Sequence, residues 1–92
     1  MRQIRVRSSA QADLFEIQKY TLDTWGLPKL IELQDLVDNT FYRLVSSPFI
    51  GRKTNSPEVL AHTLGKLPFM MIYKVDDKYI YINKIIHTKR NR

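Results

Sequence analysis

Cysteine is absent from the 92 residues, so neither a disulfide nor a thiolate-bound metal can hold this fold together. Two histidines are too few for a self-contained zinc site, and the residues call for no metal and no cofactor. No apolar run approaches the roughly 20 residues that a membrane span requires, and the N-terminus lacks the apolar core of a signal peptide. Internal repeats, low-complexity tracts and linkers are also missing. What is left is one domain over residues 1–92 with a single modest core, expected to be soluble and cytoplasmic, with no membrane partner.

Charge is present in excess of one sign, and it is unevenly placed. The total of +6 hides a basic start, since Arg2, Arg5 and Arg7 give residues 1–7 a net of +3. Residues 8–47 set six acids against Lys19, Lys29 and Arg43, a net of −3, whereas residues 48–92 set nine bases against Glu58, Asp76 and Asp77, a net of +6. A one-sided positive field favours a polyanionic partner, either nucleic acid or an acidic protein segment, and solubilising surface charge is the plainer alternative.

Hydropathy patterning divides the chain the same way. Arg2 to Arg7 alternates, with Ile4 and Val6 on one face and Arg5 and Arg7 on the other, as a half-buried strand does. Ser8 and Gln11 form a capping-box pair opening a helix, with Ser9 as the alternative cap. Ala10, Leu14, Ile17, Leu22 and Trp25 share its apolar face, Phe15 lies at the margin, and Trp25 is expected in the core at the corner. Gly26 can take the left-handed position that closes this helix, and Pro28 fits the first turn of the next. The second helix carries Leu30, Leu33, Val37, Phe41 and Leu44 inside, against Glu32, Asp35, Asn39 and Arg43 outside.

Ser46-Ser47-Pro48 ends that helix, and Phe49 to Pro57 reads as a polar loop holding Gly51-Arg52-Lys53. Val59 to Leu64 reads as a strand with Leu60, His62 and Leu64 on one side. Phe69 to Tyr73, apolar at consecutive positions, predicts a central strand buried on both faces. After a turn at Asp76-Asp77, Tyr79 to Ile86 is a further strand in which Ile80 and Ile82 alternate with Tyr79, Tyr81 and Asn83. The expected fold class is α+β in the order β-α-α-β-β-β, with a helical hairpin on one face of a largely antiparallel four-stranded sheet. Leu33, Val37, Phe41, Ile72 and Ile82 are expected in its core.

Taken in order, Ala10, Asp13-Leu14 with Ile17 and Tyr20, Trp25-Gly26, Phe41 and Leu44, Pro48 and Gly51-Arg52 form a pattern. It continues through Leu67-Pro68-Phe69, Ile72-Tyr73-x-Val75, Ile80-x-Ile82 and His87-x-x-Arg90. In this order and spacing the chain resembles, almost end to end, the RelE/ParE superfamily of small bacterial toxins, the ParE branch in particular. The resemblance implies the toxin of a type II toxin–antitoxin pair, neutralised by a cognate antitoxin whose flexible, acidic segment wraps it in a hetero-oligomer. ParE-like members are associated with inhibition of DNA gyrase, and RelE-like members with messenger RNA cleavage in the ribosome. RNA-cutting branches commonly place a tyrosine in the C-terminal tail, where this chain has Thr88, Lys89 and Arg90 after His87.

His87 is a candidate acid or base in phosphodiester cleavage, or else a strand-end histidine bonded to the sheet edge. Arg52, with Lys53 beside it, could grip phosphate or carboxylate in a bidentate way, or pin its own loop. Lys89, Arg90 and Arg92 form a terminal basic cluster or a solvated tail. Catalysis by His87, Arg90 and Arg52 is expected only if the chain is an RNase; otherwise Arg52, Lys53, His87, Lys89 and Arg90 are expected to bind antitoxin or target. His62 reads as structural or surface. Tyr73, Tyr79 and Tyr81 read as sheet packing rather than base-stacking platforms, and the Gly-rich strand of an RNA-recognition module is absent.

Overall fold

A computed structural model describes residues 1–88, and Lys89, Arg90 and Arg92 lie outside the described residues. Strand β1 (Gln3–Val6) leads into helices α1 (Ser8–Trp25) and α2 (Leu27–Ser46), and strands β2 (Arg52–Lys53), β3 (Leu60–Thr63), β4 (Phe69–Val75) and β5 (Tyr79–His87) follow. They form one five-stranded sheet in the order β1-β5-β4-β3-β2, antiparallel except where β1 runs parallel to β5. Both helices pack on one sheet face, as expected, but the sheet has five strands and not four.

The extra strand falls within the stretch read as a loop. Arg52 and Lys53 pair with Ala61 and Leu60, although neither side chain is apolar and both are exposed. Tertiary contact holds them there: the Tyr73 hydroxyl, on a fully buried ring, donates to Pro48 O at 2.8 Å and accepts from Gly51 N at 2.9 Å. Gly51 is needed for this approach, because a Cβ there would sit 2.5 Å from the Tyr73 hydroxyl and 2.9 Å from Ala61 O. A strand two residues long, held by a side chain from another strand, leaves no periodicity to read.

Strand β4 is covered on one face only. Met71 and Tyr73 are buried under the helices, while Met70, Ile72 and Lys74 are half-exposed on the opposite, open face, so Ile72 is not in the core. Five apolar residues in a row, Phe69 to Tyr73, gave no sign of which face would be left bare. Leu33, Val37 and Ile82 are buried as expected, and Phe41 is half-buried against the same cluster.

Strand β5 contains a bulge that the sequence reading missed. Ile72 pairs with Lys84 and Tyr73 with Ile82, leaving Asn83 as the extra residue, so inward positions pass from Ile80 and Ile82 to Ile85. Without that shift Lys84, two residues after Ile82, would turn its ammonium into the core. Helix α1 secures the distorted backbone: Ser9 Oγ donates to Asn83 O at 2.6 Å, and Ile85 N donates to Asp13 Oδ2 at 2.9 Å. Each bond satisfies a main-chain group near the irregularity.

Ser9 is thereby used across the fold and not as a cap. The cap position is Arg7 and not the expected Ser8, because Arg7 N is still bound to Ile82 O and its backbone remains extended; a guanidinium has no acceptor, so no side-chain capping bond forms. Gln11 Nε2 donates instead to Val6 O at 2.9 Å. At the hairpin corner Gly26 has φ +90° and its N–H reaches Thr21 O and Leu22 O, and Pro28 opens α2, both as expected. Trp25, however, is 63 % exposed and Leu22 is exposed too, since the last turn of α1 buries Thr21 instead.

The β4–β5 turn is also displaced by a residue from the expected Asp76-Asp77 pair. Asp76 N bonds Tyr79 O, leaving Asp77 and Lys78 at the tip, while one Asp76 carboxylate oxygen accepts from the amides of Lys78 and Tyr79. These two N–H donors hold the Asp76 carboxyl below the usual carboxylate range.

Candidate functional site

Strand alternation turns the basic residues of β1 onto the open sheet face. Arg5 stacks over the Tyr79 ring at 4.4 Å from its centroid and donates to the Tyr79 hydroxyl at 3.1 Å, and Arg7 stacks over Tyr81 at 4.6 Å. The two tyrosine rings lie 5.7 Å apart, so the pairs form a short ladder along β1 and β5. Each stack immobilises a guanidinium without neutralising it. Lys74 and Lys84 extend the positive surface across the sheet, although Lys74 leans toward Glu58 at 3.5 Å. Tyr73 is core, whereas Tyr79 and Tyr81 are the platforms on which arginines rest.

Arg52 extends this surface to the far side. It pairs with Ala61, is exposed, and places a guanidinium nitrogen 3.9 Å from Met70 Sδ on the same open face. Lys53, next along β2, is also exposed.

His87 lies on the other side. It pairs with Phe69 and packs edge-on against that ring, with centroids 5.1 Å apart and planes at 85°. Both line an open groove of about 570 Å³ under α1, with Asp13, Glu16, Tyr20 and Ile85. Arg52 and His87 are thus on opposite faces of the sheet, and a single phosphodiester cannot touch both. The groove's acid groups were not among the expected site residues; Asp13 had been noted only as part of the family pattern.

His62 is half-buried at the helix side of β3, where burial and then the nearby Arg43 guanidinium push its imidazole below the usual value. Burial also raises the Tyr73 phenol, partly offset by the Gly51 amide. Among the described residues no group of three or more His, Cys, Asp or Glu side chains could hold a metal ion, and no helix is long and apolar enough to cross a membrane.

The sequence model for the ParE toxin of the type II toxin–antitoxin system parDE matches residues 4–92. The chain belongs to the ParE toxin family. Among solved structures, this ParE-family chain is similar to one described as the chromosomal ParDE toxin–antitoxin system from P. aeruginosa, with 26 % identity and TM-score 0.80 over 95 % of this chain and 96 % of that one. It shares its fold with YafQ from E. coli strain BL21(DE3), at 12 % identity and TM-score 0.67 over 98 % and 97 % of the two chains. The YoeB dimer from Staphylococcus aureus also shares it, at 16 % identity and TM-score 0.62 over 90 % and 92 %. No curated protein matches the sequence significantly.

Proposed function

We propose that this ParE-family toxin acts in the cytoplasm by binding DNA gyrase, not by cutting RNA, and that a cognate antitoxin neutralises it. What supports this reading is membership of the ParE family together with the separation of Arg52 from His87 by the sheet, which keeps these two candidate residues from acting on one phosphodiester.

The antitoxin lays an acidic segment across the open face, where Arg5, Arg7 and Arg52 present charge, and seats apolar side chains on the exposed outer surface of the helical hairpin at Leu22, Trp25, Leu27 and Ile31. Charge speeds the encounter and apolar contact slows release. The similar P. aeruginosa structure is itself described as a ParDE system, in keeping with such a pair.

Gyrase supercoiling in the presence of purified toxin tests the target. Inhibition at micromolar toxin, reversed by antitoxin, is the expected result; no inhibition, together with specific cuts in translated messenger RNA, would replace gyrase with the ribosome.

A further inference from the structure

Helix α2 and strand β3 flank an open cleft that the toxin reading does not use. Two adjoining hollows, of about 460 and 360 Å³, share Tyr42, Arg43 and His62 in their walls. The first adds Leu36 and Asn39, and the second adds Ser46, Ser47 and Ile50, so polar groups from one helix face and its C-terminal end meet His62 of the neighbouring strand. No aspartate or glutamate lines either hollow, and among the described residues no carboxylate pairs with Arg43.

That arrangement is unusual on this surface, because the segment from residue 8 to residue 47 is otherwise acidic. Elsewhere on α2 the one lysine is paired, Lys29 to Glu32 at 3.2 Å. Arg43 instead shares both hollows with a second potential cation, His62, whose proton affinity is lowered first by burial and then by the Arg43 charge. Two basic groups facing one another without a counter-charge repel; an anion between them would relieve the repulsion and be held by both.

We propose that the Asn39–Arg43–His62 cleft is a binding site for a small oxyanion, a sulfate- or phosphate-type group or a carboxylate. Arg43 supplies the fixed charge and a fork of donors, Asn39 adds a neutral donor, and His62 joins as a second cation once protonated. The charged or titratable groups facing His62 are Arg43 and Tyr42 from α2; its β-sheet partner Met71 is neutral. Affinity therefore rises as pH falls through the histidine range. The site is independent of the choice between gyrase and ribosome.

The test is a titration of the full chain, followed by amide and imidazole NMR signals, with sodium sulfate in one arm and a blocked tetraglutamate peptide in the other at constant ionic strength. Sulfate keeps its charge across the range used, so pH changes report on the protein alone. Saturable shifts at Asn39, Arg43 and His62 are expected, with affinity several-fold higher at pH 5.5 than at pH 7.5. Arg43→Gln should weaken binding at least tenfold, His62→Gln should remove the pH dependence, and Arg52→Gln, on the other sheet face, should leave both unchanged. Saturation by sulfate alone assigns the site to a phosphate-type ligand, and by the peptide alone to a carboxylate. Shifts that spread evenly over all basic residues, or that survive Arg43→Gln, would overturn the proposal.

Discussion

Tyr73→Phe removes one oxygen atom from the centre of the fold and leaves the ring in place. Its hydroxyl bonds Pro48 O at 2.8 Å and Gly51 N at 2.9 Å, while its side chain is completely buried. The variant strands a carbonyl and an amide that no other described group satisfies, and each such loss costs roughly 1–3 kcal/mol, less where water can reach the groups. Because residues 48–51 lie at the surface, the low end applies to each, and the sum is about 2–3 kcal/mol. For a domain of this size that lowers the melting temperature by about 10–20 °C. Urea unfolding of the two proteins measures the free energy directly. The same hydroxyl is the nearest of three atoms crowding a Cβ at residue 51, with Ala61 O and a Tyr73 ring carbon each at 2.9 Å, so Gly51→Ala should destabilise the wild type more than it does the Tyr73→Phe background while remaining costly in both. A Tyr73→Phe loss under about 0.5 kcal/mol, with additive Gly51→Ala, would mean that strand β2 is held by its ladder alone and that the tyrosine anchor is incidental.

Four further outcomes are expected. Asp13→Ala should cost about 1.5–3 kcal/mol in urea unfolding by releasing Ile85 N, whereas Asp13→Asn, which keeps an acceptor, should cost less than half as much. Phe41 is only half-buried, so Phe41→Ala should cost about 2–3 kcal/mol, below the 3–5 usual for a fully buried ring, and a value under about 1 would misplace the helix face. Because the folded-state proton affinity of His62 is lowered, its contribution to stability is full above the ordinary value of 6.5 and is lost as pH falls through the range between 6.5 and the folded value; in low-salt, anion-poor buffer, His62→Gln should flatten that part of the stability profile. Finally, stopped-flow association with the antitoxin should slow strongly with salt and with Arg52→Glu and Arg90→Glu, with dissociation much less affected. Indifference to both would make the open face ordinary solubilising surface.

The sequence by itself determined the element types and their order. Three- and four-residue apolar spacing in α2, alternation in β1 and in the first half of β5, and the Gly26–Pro28 punctuation are local signals set by backbone geometry, and each survives in the fold. The segregation of charge was equally legible, since composition needs no partner to be counted. Tertiary structure decided which of those residues meet. Trp25 and Leu22 sit on a helix face that continues the apolar stripe, yet the packed chain leaves them exposed to solvent. Ser9 could have capped a helix, but the nearby bulge offered its hydroxyl the Asn83 carbonyl instead. The spacing Ile80-x-Ile82-x-x-Ile85 was the one visible trace of that bulge, and only pairing with β4 shows why the step lengthens from two to three. Arg52 and His87 could be named from sequence, but not the sheet that stands between them. Whether two residues 35 positions apart share a face depends on strand order and register, which arise from packing the whole chain and not from any local pattern.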